Sequence, residues 1–190
     1  MKGDEALERL LADYPDVKSI LDVGSGRGEQ AAAMRSAGRC VMTVSLQPPA
    51  DIVADYMQCQ FPPTFDALWI CHVLEHQPNV GAFLKHCFSH LREGGVLAVT
   101  VPPLKHQIVG GHLTLWNAGL LLYNLILAGF DCAAARVGVY GYNLSVLVRK
   151  HIVRIPQLAF DAGDIETLAR FFPVPVRQGF DGRLDGGVAW

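Results

Sequence analysis

The segment 19–28, SILDVGSGRG, decides the fold of this 190-residue chain. Its apolar first half predicts a buried strand, and the alanine-rich residues 29–37 that follow predict a helix. The three alternating glycines between them have no Cβ atoms, so a ligand can lie against the backbone where the helix begins. The segment therefore predicts a strand, a tight turn and a helix that together bind a nucleoside-type ligand.

Short apolar segments alternate with helical patterns along the rest of the chain. The further predicted strands are 40–46, 51–54, 65–71, 95–101, 132–139 and 144–152. The further predicted helices are a short one that stops at Pro15, one over 80–91 that Gly94-Gly95 ends, and those over 115–128 and 164–172. The last two strands are too close in sequence for a crossover helix, so we expect them to pair antiparallel.

The composition favours one well-buried domain, because 51% of the residues are hydrophobic and only 18% are charged. The formal net charge of -2 gives no long-range attraction to a polyanion, so no nucleic-acid partner is expected. The five cysteines form no C-x-x-C pair and indicate reduced thiols in a cytoplasmic protein.

No export signal or membrane span is expected. Residues 1–9 are charged and lack the apolar core of a secretory signal. The most apolar segment, 115–130, is shorter than a membrane span and is interrupted by Asn117, Gly119 and Asn124. We therefore expect neither secretion nor a membrane partner.

The glycine turn also carries a family resemblance. A dinucleotide-binding turn has the pattern G-x-G-x-x-G, but Glu29 occupies the place of its third glycine. The pattern present, G-x-G-x-G after Leu21-Asp22-Val23, resembles motif I of the class I S-adenosylmethionine-dependent methyltransferases. The resemblance extends over residues 17–150, through the segments 54–56, 65–68, 71–76, 91–97 and 129–130 and the terminal hairpin.

This resemblance implies an α/β fold. The expected architecture is a Rossmann-like three-layer sandwich with a mostly parallel seven-stranded sheet, in the order 3-2-1-4-5-7-6, and a reversed terminal strand. The methyltransferase domain would span 1–155, with 156–190 forming a C-terminal helix and tail packed on the same domain. A closer resemblance, to small bacterial methyltransferases of surface-polysaccharide and sugar-modifying pathways, rests on 101–103, 111–116 and 140–143.

The resemblance further implies a set of residues that bind S-adenosylmethionine. They are Asp22, Gly24, Ser25, Gly26, Gly28, Ser45, Leu46, Asp55, Tyr56 and His72. Asp55 is expected either to contact the adenine amino group or to cap a turn, and Asp22 either to support the cofactor or to hold the glycine turn. The family usually has an acidic residue at the end of the second strand for the ribose. Here the segment is Val44-Ser45-Leu46-Gln47, and a neutral group makes a weaker contact than a charged one.

Three histidines are candidates for a catalytic base: His76, His106 and His112. They follow the fourth and fifth strands, at the edge where open α/β sheets bind ligands, and imidazole suits proton removal near neutral pH. His72, Glu75 and His76 also spell H-x-x-E-H, a zinc signature of another enzyme class. Because these residues lie at a strand end and the spacing shows no third ligand, no metal site is expected.

Together these features predict methyl transfer from S-adenosylmethionine to an oxygen or nitrogen of a small-molecule or saccharide acceptor. Two alternatives stay open. A non-catalytic binding subunit would keep the fold, and the neutral end of the second strand favours it. An NAD-dependent oxidoreductase is opposed by Glu29 and by the terminal hairpin. The sequence predicts no particular oligomeric state.

Overall fold

One mixed sheet forms the centre of the computed structural model, which describes residues 2–184 and 188–190. Its strands are β1 (Ser19–Val23), β2 (Cys40–Ser45), β3 (Ile52–Val53), β4 (Phe65–Cys71), β5 (Leu91–Val101), β6 (Arg136–Tyr140) and β7 (Asn143–Arg149). They lie in the order β3-β2-β1-β4-β5-β7-β6. β7 runs antiparallel to β5 and β6, and the other neighbouring strands are parallel. The predicted strand order and the reversed strand are confirmed.

Helices cover both faces of the sheet, which confirms the predicted three-layer sandwich. They are α1 (Asp4–Asp13), α2 (Glu29–Ser36), α3 (Val80–His90), α4 (Ala118–Leu127) and α5 (Asp164–Thr167). Side chains alternate along a strand, so Ile20 packs in the core with α1 and α2 while Leu21 packs with α3 and α4. Burial of each such side chain stabilises the fold by about 1.5–3 kcal/mol. Within the described residues, the helices lack the length and apolarity needed to cross a bilayer.

The junction between α3 and β5 differs from the prediction. The sequence predicts that Gly94-Gly95 ends the helix, but α3 ends at His90 and β5 begins at Leu91. Leu91 is fully buried, and its carbonyl oxygen accepts a hydrogen bond of 2.7 Å from the ammonium group of Lys150, which favours extended backbone there. Gly94 has a φ of 74°, so the glycines form an irregularity inside the strand instead of a helix end.

Other element boundaries shift by a few residues. The fourth helix begins at Ala118 instead of 115, because the Asn117 side chain caps it by accepting a 2.8 Å hydrogen bond from the backbone N–H of Leu120. β6 begins at Arg136 instead of 132, since a hydrogen-bonded turn precedes it. The helix predicted over 164–172 is divided into α5 and a 3₁₀ turn at Ala169–Phe171.

The C-terminal segment lies against the sheet and its helices. Buried side chains from it join the core on the α3 and α4 face: Leu168, Phe171 and Phe172. The backbone N–H of Gly119 on α4 donates to the carbonyl oxygen of Gly182 at 2.9 Å. The Trp190 ring stacks on that of Tyr140, with their centroids 5.5 Å apart. The boundary at residue 155 stays a prediction.

Candidate active site

The carboxyl ends of β1, β2 and β4 surround a cavity of about 560 Å³. Its volume lies in the range of small-molecule sites. Its position is also the expected one, because ligands of open α/β sheets bind beyond the carboxyl ends of the strands where the order reverses, here between β1 and β4. Several of the predicted site residues line it: Gly24, Ser45, Leu46, Asp55, Tyr56, His72 and His76.

Gly24 anchors the glycine turn. Its backbone N–H donates to the carbonyl oxygen of Val44 on β2 at 2.7 Å, and its φ is 77°. A Cβ atom here would lie 2.3 Å from the Cγ2 atom of Val73, so the turn requires glycine. Gly26 and Gly28 also have positive φ, but a Cβ atom on either would meet nothing within 4 Å. Open space therefore lies beside these glycines, at the N-terminus of α2.

A second cavity, of about 650 Å³, adjoins the same turn. Its lining residues are Lys2, Ser25, Arg27, Glu29, Gln30 and Cys71. Ser25 therefore faces this cavity and not the first one, and its hydroxyl oxygen is buried without a hydrogen-bond partner. A buried hydroxyl of this kind needs a partner from a ligand or water. Lys2 and Arg27 add two cations that the sequence patterns did not indicate. Lys2 precedes every motif, and Arg27 occupies a place in the pattern G-x-G-x-G for which no residue type is specified.

Asp22 is the last polar residue of β1. It is 1% exposed, and its Oδ2 atom has no hydrogen-bond partner. Burial raises the pKa of its carboxyl to about 7, although Arg35 acts in the opposite direction. Asp22 lines neither cavity. Because its Oδ2 atom has no hydrogen-bond partner, that atom does not hold the glycine turn. The role of Asp22 in supporting the cofactor stays a prediction.

Asp55 and Tyr56 follow β3 and form another wall of the first cavity. The Oδ1 atom of Asp55 accepts a 2.9 Å hydrogen bond from the backbone N–H of Met57, so Asp55 caps the turn as well as lining the cavity. The Tyr56 hydroxyl is 2.8 Å from the Nδ1 atom of His90, away from solvent, and burial raises its pKa. Tyr56 thus offers the cavity its ring and not its hydroxyl.

The lining residues fit S-adenosylmethionine, with one departure from the family pattern. Val73 and Phe83, which the sequence analysis did not single out, give the cavity apolar walls for a planar base. Asp55 supplies a carboxylate for an amino group, and the open glycine positions leave space beside the turn. At the end of β2, however, Ser45 is half-buried and Leu46 is 70% exposed, so a ribose would meet a hydroxyl instead of a carboxylate.

His72 closes the β4 side of the cavity. Its φ of 56° is rare for a residue other than glycine and marks a constrained position. Its Nε2 atom lies 3.0 Å from the Oδ1 atom of Asn143, on the terminal hairpin, and its Nδ1 atom lies 3.3 Å from the Oε1 atom of Glu75. His72 therefore connects the cavity wall to the hairpin and to a buried carboxylate.

Glu75, His76 and His112 form a compact group that we call the His–Glu cluster. Their ligand-type side-chain atoms all lie within 4.8 Å of one another. The Nδ1 atom of His76 donates to the carbonyl oxygen of Gly111 at 2.7 Å, and the His76 and His112 rings meet edge to face at 5.0 Å between centroids. The backbone N–H of Leu113 donates to the carbonyl oxygen of Glu75 at 2.7 Å, which holds the loop after β5 on the turn after β4.

The three candidate bases thus have different positions. His76 lines the first cavity, and His112 lines a small cleft next to it. His106 is exposed on the same loop and lines neither space. The spacing in the sequence shows no third metal ligand near Glu75 and His76. The loop after β5 brings His112, 36 residues after His76, into contact with them.

Comparison with known proteins identifies the family and the fold. A family model described as a methyltransferase domain matches residues 3–126, more than half of the chain. Comparison with curated protein sequences gave no match. A solved structure of the 1,6-didemethyltoxoflavin-N1-methyltransferase of Burkholderia thailandensis is 19% identical, with a TM-score of 0.68 over 77% of this chain and 76% of that one.

Two further solved structures share the fold. The sugar N-methyltransferase of a Streptoalloteichus species is 18% identical, with a TM-score of 0.63 over 79% of this chain and 87% of that one. The amino pentose methyltransferase of Micromonospora echinaspora, solved with bound S-adenosylmethionine, is 18% identical, with a TM-score of 0.61 over 77% of this chain and 91% of that one. At this identity the structures show a common fold.

The family match contains the residues that form the first cavity. It includes the glycine turn, the turn at Asp55 and the segment from His72 to His76, together with the helices α1–α3 and the strands β1–β5. The chain therefore belongs to the methyltransferase-domain family.

Proposed function

We propose that this enzyme transfers a methyl group from S-adenosylmethionine to an oxygen or nitrogen of a small-molecule or saccharide acceptor. The observation that carries the proposal is the arrangement of the first cavity. Asp55 and the glycine turn form its cofactor-binding walls, and His72 and His76 form the wall towards the loop after β5. Donor and acceptor can therefore meet at this edge of the sheet.

The chain's own residues would bind and orient the cofactor. Asp55 and the apolar walls of the first cavity would hold its adenine, and Ser45 would contact the ribose. Ser25 and the cations of Lys2 and Arg27, in the second cavity, would bind the amino-acid end, because the methionine part carries a carboxylate. The bound group supplies an activated methyl, so the main task of the protein is to hold donor and acceptor in line.

The acceptor would lie beside the His–Glu cluster. An amine with a free electron pair needs no help to accept a methyl group, whereas a hydroxyl acceptor must lose its proton. His76 and His112 are the candidate side chains for assisting that loss, because they lie between the first cavity and the neighbouring cleft. His106 is exposed and lines neither the cavity nor the cleft, so we place it last among the three candidates.

The acceptor class is supported by the structural neighbours. One acts on a sugar nitrogen, one is an amino pentose methyltransferase and one acts on 1,6-didemethyltoxoflavin. A role in surface-polysaccharide or other sugar-modifying pathways agrees with these neighbours and stays part of the proposal. The unpaired cysteines support a cytoplasmic location.

The proposal is tested by incubating the purified enzyme with S-adenosylmethionine that carries a labelled methyl group, together with a panel of sugars, amino sugars and nucleotide sugars. We expect label in a saccharide product and one S-adenosylhomocysteine formed per methyl transferred. Transfer should fall in His76→Ala and His112→Ala. His151→Ala serves as the matched control, because His151 pairs with Glu93 on the surface and does not line the first cavity. Cofactor binding without transfer to any acceptor would favour the non-catalytic binding subunit instead.

A further inference from the structure

The carboxylate of Glu75 is buried in an unusual way. The side chain is 1% exposed, and neither carboxylate oxygen has a hydrogen-bond partner in the protein. An ionised carboxylate taken out of water without hydrogen bonds or a counter-charge is strongly destabilising. A group close to Glu75 that offers a proton or a positive charge would remove this cost.

Neutral His72 does not supply that group. The Oδ1 atom of Asn143 accepts a hydrogen bond from the backbone N–H of Gly3 at 3.1 Å, which identifies it as the amide oxygen. An amide oxygen only accepts, so the ring hydrogen of a neutral His72 must lie on Nε2, which is 3.0 Å from Oδ1. The Nδ1 atom, which faces Glu75 at 3.3 Å, then carries a lone pair towards the carboxylate.

His76 is oriented as metal-binding histidines are. Its Nδ1–H group donates to the carbonyl oxygen of Gly111, so its Nε2 atom carries the lone pair and lies 3.8 Å from the Oε1 atom of Glu75. A hydrogen bond from the second ring nitrogen to a carbonyl oxygen fixes the tautomer and ring orientation of a ligating histidine. His112 adds a second imidazole at the same place.

We propose that Glu75, His76 and His112 bind one divalent transition-metal ion, between the first cavity and the cleft beside it. Two imidazole nitrogens and one carboxylate oxygen suit Zn²⁺, Co²⁺, Mn²⁺ or Fe²⁺, and three protein ligands leave coordination positions for other molecules. The cation would also compensate the charge of the buried carboxylate. His72, which contacts Glu75 from the other side, helps to position that ligand.

The ion would act on the acceptor. A hydroxyl held at an open coordination position would lose its proton to solvent water more easily, so the two histidines would assist deprotonation as ligands. The oxygen would then form its bond to the methyl carbon as the sulfonium S–CH₃ bond breaks, leaving S-adenosylhomocysteine. A saccharide hydroxyl is an acceptor of this kind, which favours O-methylation. This role rests on the proposed methyl transfer, whereas binding of the ion does not.

Cobalt binding tests the site without measuring activity. The chelator-treated full chain is titrated with Co²⁺, and the visible absorption of the bound ion is recorded for wild type, His112→Ala, Glu75→Gln and His151→Ala. His151 lies 3.5 Å from Glu93 on the surface, where both side chains are more than half exposed, so it controls for binding by an ordinary His–Glu pair. The far-ultraviolet circular dichroism spectrum of each variant verifies that it is folded.

We expect wild type and His151→Ala to bind one Co²⁺ per chain. His112→Ala and Glu75→Gln should bind it at least about 100-fold more weakly while keeping the circular dichroism spectrum of wild type. Equal Co²⁺ affinity in wild type and His112→Ala, or no saturable binding by wild type, would overturn the proposal.

A separate experiment tests the proposed role of the metal ion in methyl transfer. Chelation should abolish methyl transfer to a hydroxyl acceptor, and added Co²⁺ or Mn²⁺ should restore it. Transfer that persists at full rate in the chelated enzyme would refute that role. If Co²⁺ binds as expected but no acceptor is methylated, the metal site stands and the proposed function fails.

Discussion

Asp22 and Glu75 are both buried acids at the carboxyl edge of the sheet, and each has a carboxylate oxygen without a hydrogen-bond partner. Their surroundings differ. Asp22 has only the more distant Arg35 to favour its charge, so burial raises its pKa to about 7. Glu75 instead contacts His72 and His76.

The two regions are also built differently. The turn after Asp22 is one continuous segment, held by the hydrogen bond from Gly24 to Val44 and shaped by glycine. The region around Glu75 joins three parts of the chain: the turn after β4, the loop after β5 and the terminal hairpin. The first region offers shape and backbone groups for a cofactor, and the second offers side chains that can ligate a metal or move a proton.

The largest expected effect comes from Gly24→Ala. The new Cβ atom would collide with the stiff, β-branched Val73, and the positive φ adds strain. We expect the free energy of unfolding to fall by about 3–5 kcal/mol and S-adenosylhomocysteine binding to be lost. The matched control is Gly38→Ala, which has a φ of 79° but no atom within 4 Å, and should cost only about 1–2 kcal/mol in chemical denaturation.

The next effect concerns the charge of Asp22. Because its pKa in the folded state is raised to about 7, the folded protein binds more protons than the unfolded chain between about pH 4 and pH 7, and stability falls as pH rises through this window. Asp22→Asn should remove this dependence and raise the free energy of unfolding at pH 8 by about 2–4 kcal/mol. Chemical denaturation curves recorded across this pH range measure the free energy of unfolding of both proteins. If that free energy depends on pH in Asp22→Asn as it does in wild type, Asp22 is not the group responsible.

Asp66 gives the contrast for that experiment. Burial raises its pKa, but hydrogen bonds from Arg92 and from the backbone N–H groups of Ser19 and Lys18 outweigh burial and lower the pKa to about 2. Its contribution to stability is present above about pH 4 and is lost as pH falls towards 2. Asp66→Asn should therefore destabilise the protein at pH 7, opposite in sign to Asp22→Asn.

A smaller effect separates the two roles of Asp55. Asp55→Ala removes the cap of the turn and the carboxylate in the cavity, whereas Asp55→Ser keeps a capping oxygen. Both variants should bind S-adenosylhomocysteine about 10-fold more weakly, but only Asp55→Ala should also lose about 1 kcal/mol of stability. If Asp55→Ser binds S-adenosylhomocysteine as tightly as wild type does, Asp55 only caps the turn and does not contact the cofactor.

The smallest effect is a gain. Ser45→Asp places a carboxylate at the end of β2, where a ribose would lie, and should strengthen S-adenosylhomocysteine binding by about 3–10-fold through charge-assisted hydrogen bonds. Gln47→Asp is the matched control, because Gln47 is exposed and does not line the cavity. Equal gains in both variants would indicate a general charge effect.

The same comparison explains how much the sequence could predict. The strand order was implied by the family resemblance of the glycine turn and the later segments, and it is confirmed. The alternating glycines do lie beside a cavity, and the assignment of that cavity to a cofactor stays a prediction. The predicted helix end at Leu91 was wrong, because the extended conformation of Leu91 depends on a hydrogen bond from Lys150, the residue after β7, and no local pattern contains that contact.

The His–Glu cluster was beyond prediction for a similar reason. His72, Glu75 and His76 are visible as a motif, but their third partner, His112, is brought to them by the backbone bond from Leu113 to Glu75. Likewise, the sequence treats His106 and His112 as equivalent members of one loop, and the geometry separates them. Contacts between distant segments determine which histidine reaches the site.

Calorimetric titration of the purified wild-type enzyme with S-adenosylhomocysteine, and in parallel with NAD, tests the central claim most directly. The first cavity, the glycine turn and the family match predict saturable one-site binding of S-adenosylhomocysteine and no binding of NAD. Absence of heat with S-adenosylhomocysteine, or saturable binding of NAD alone, would contradict the assignment of this site to a methyl donor.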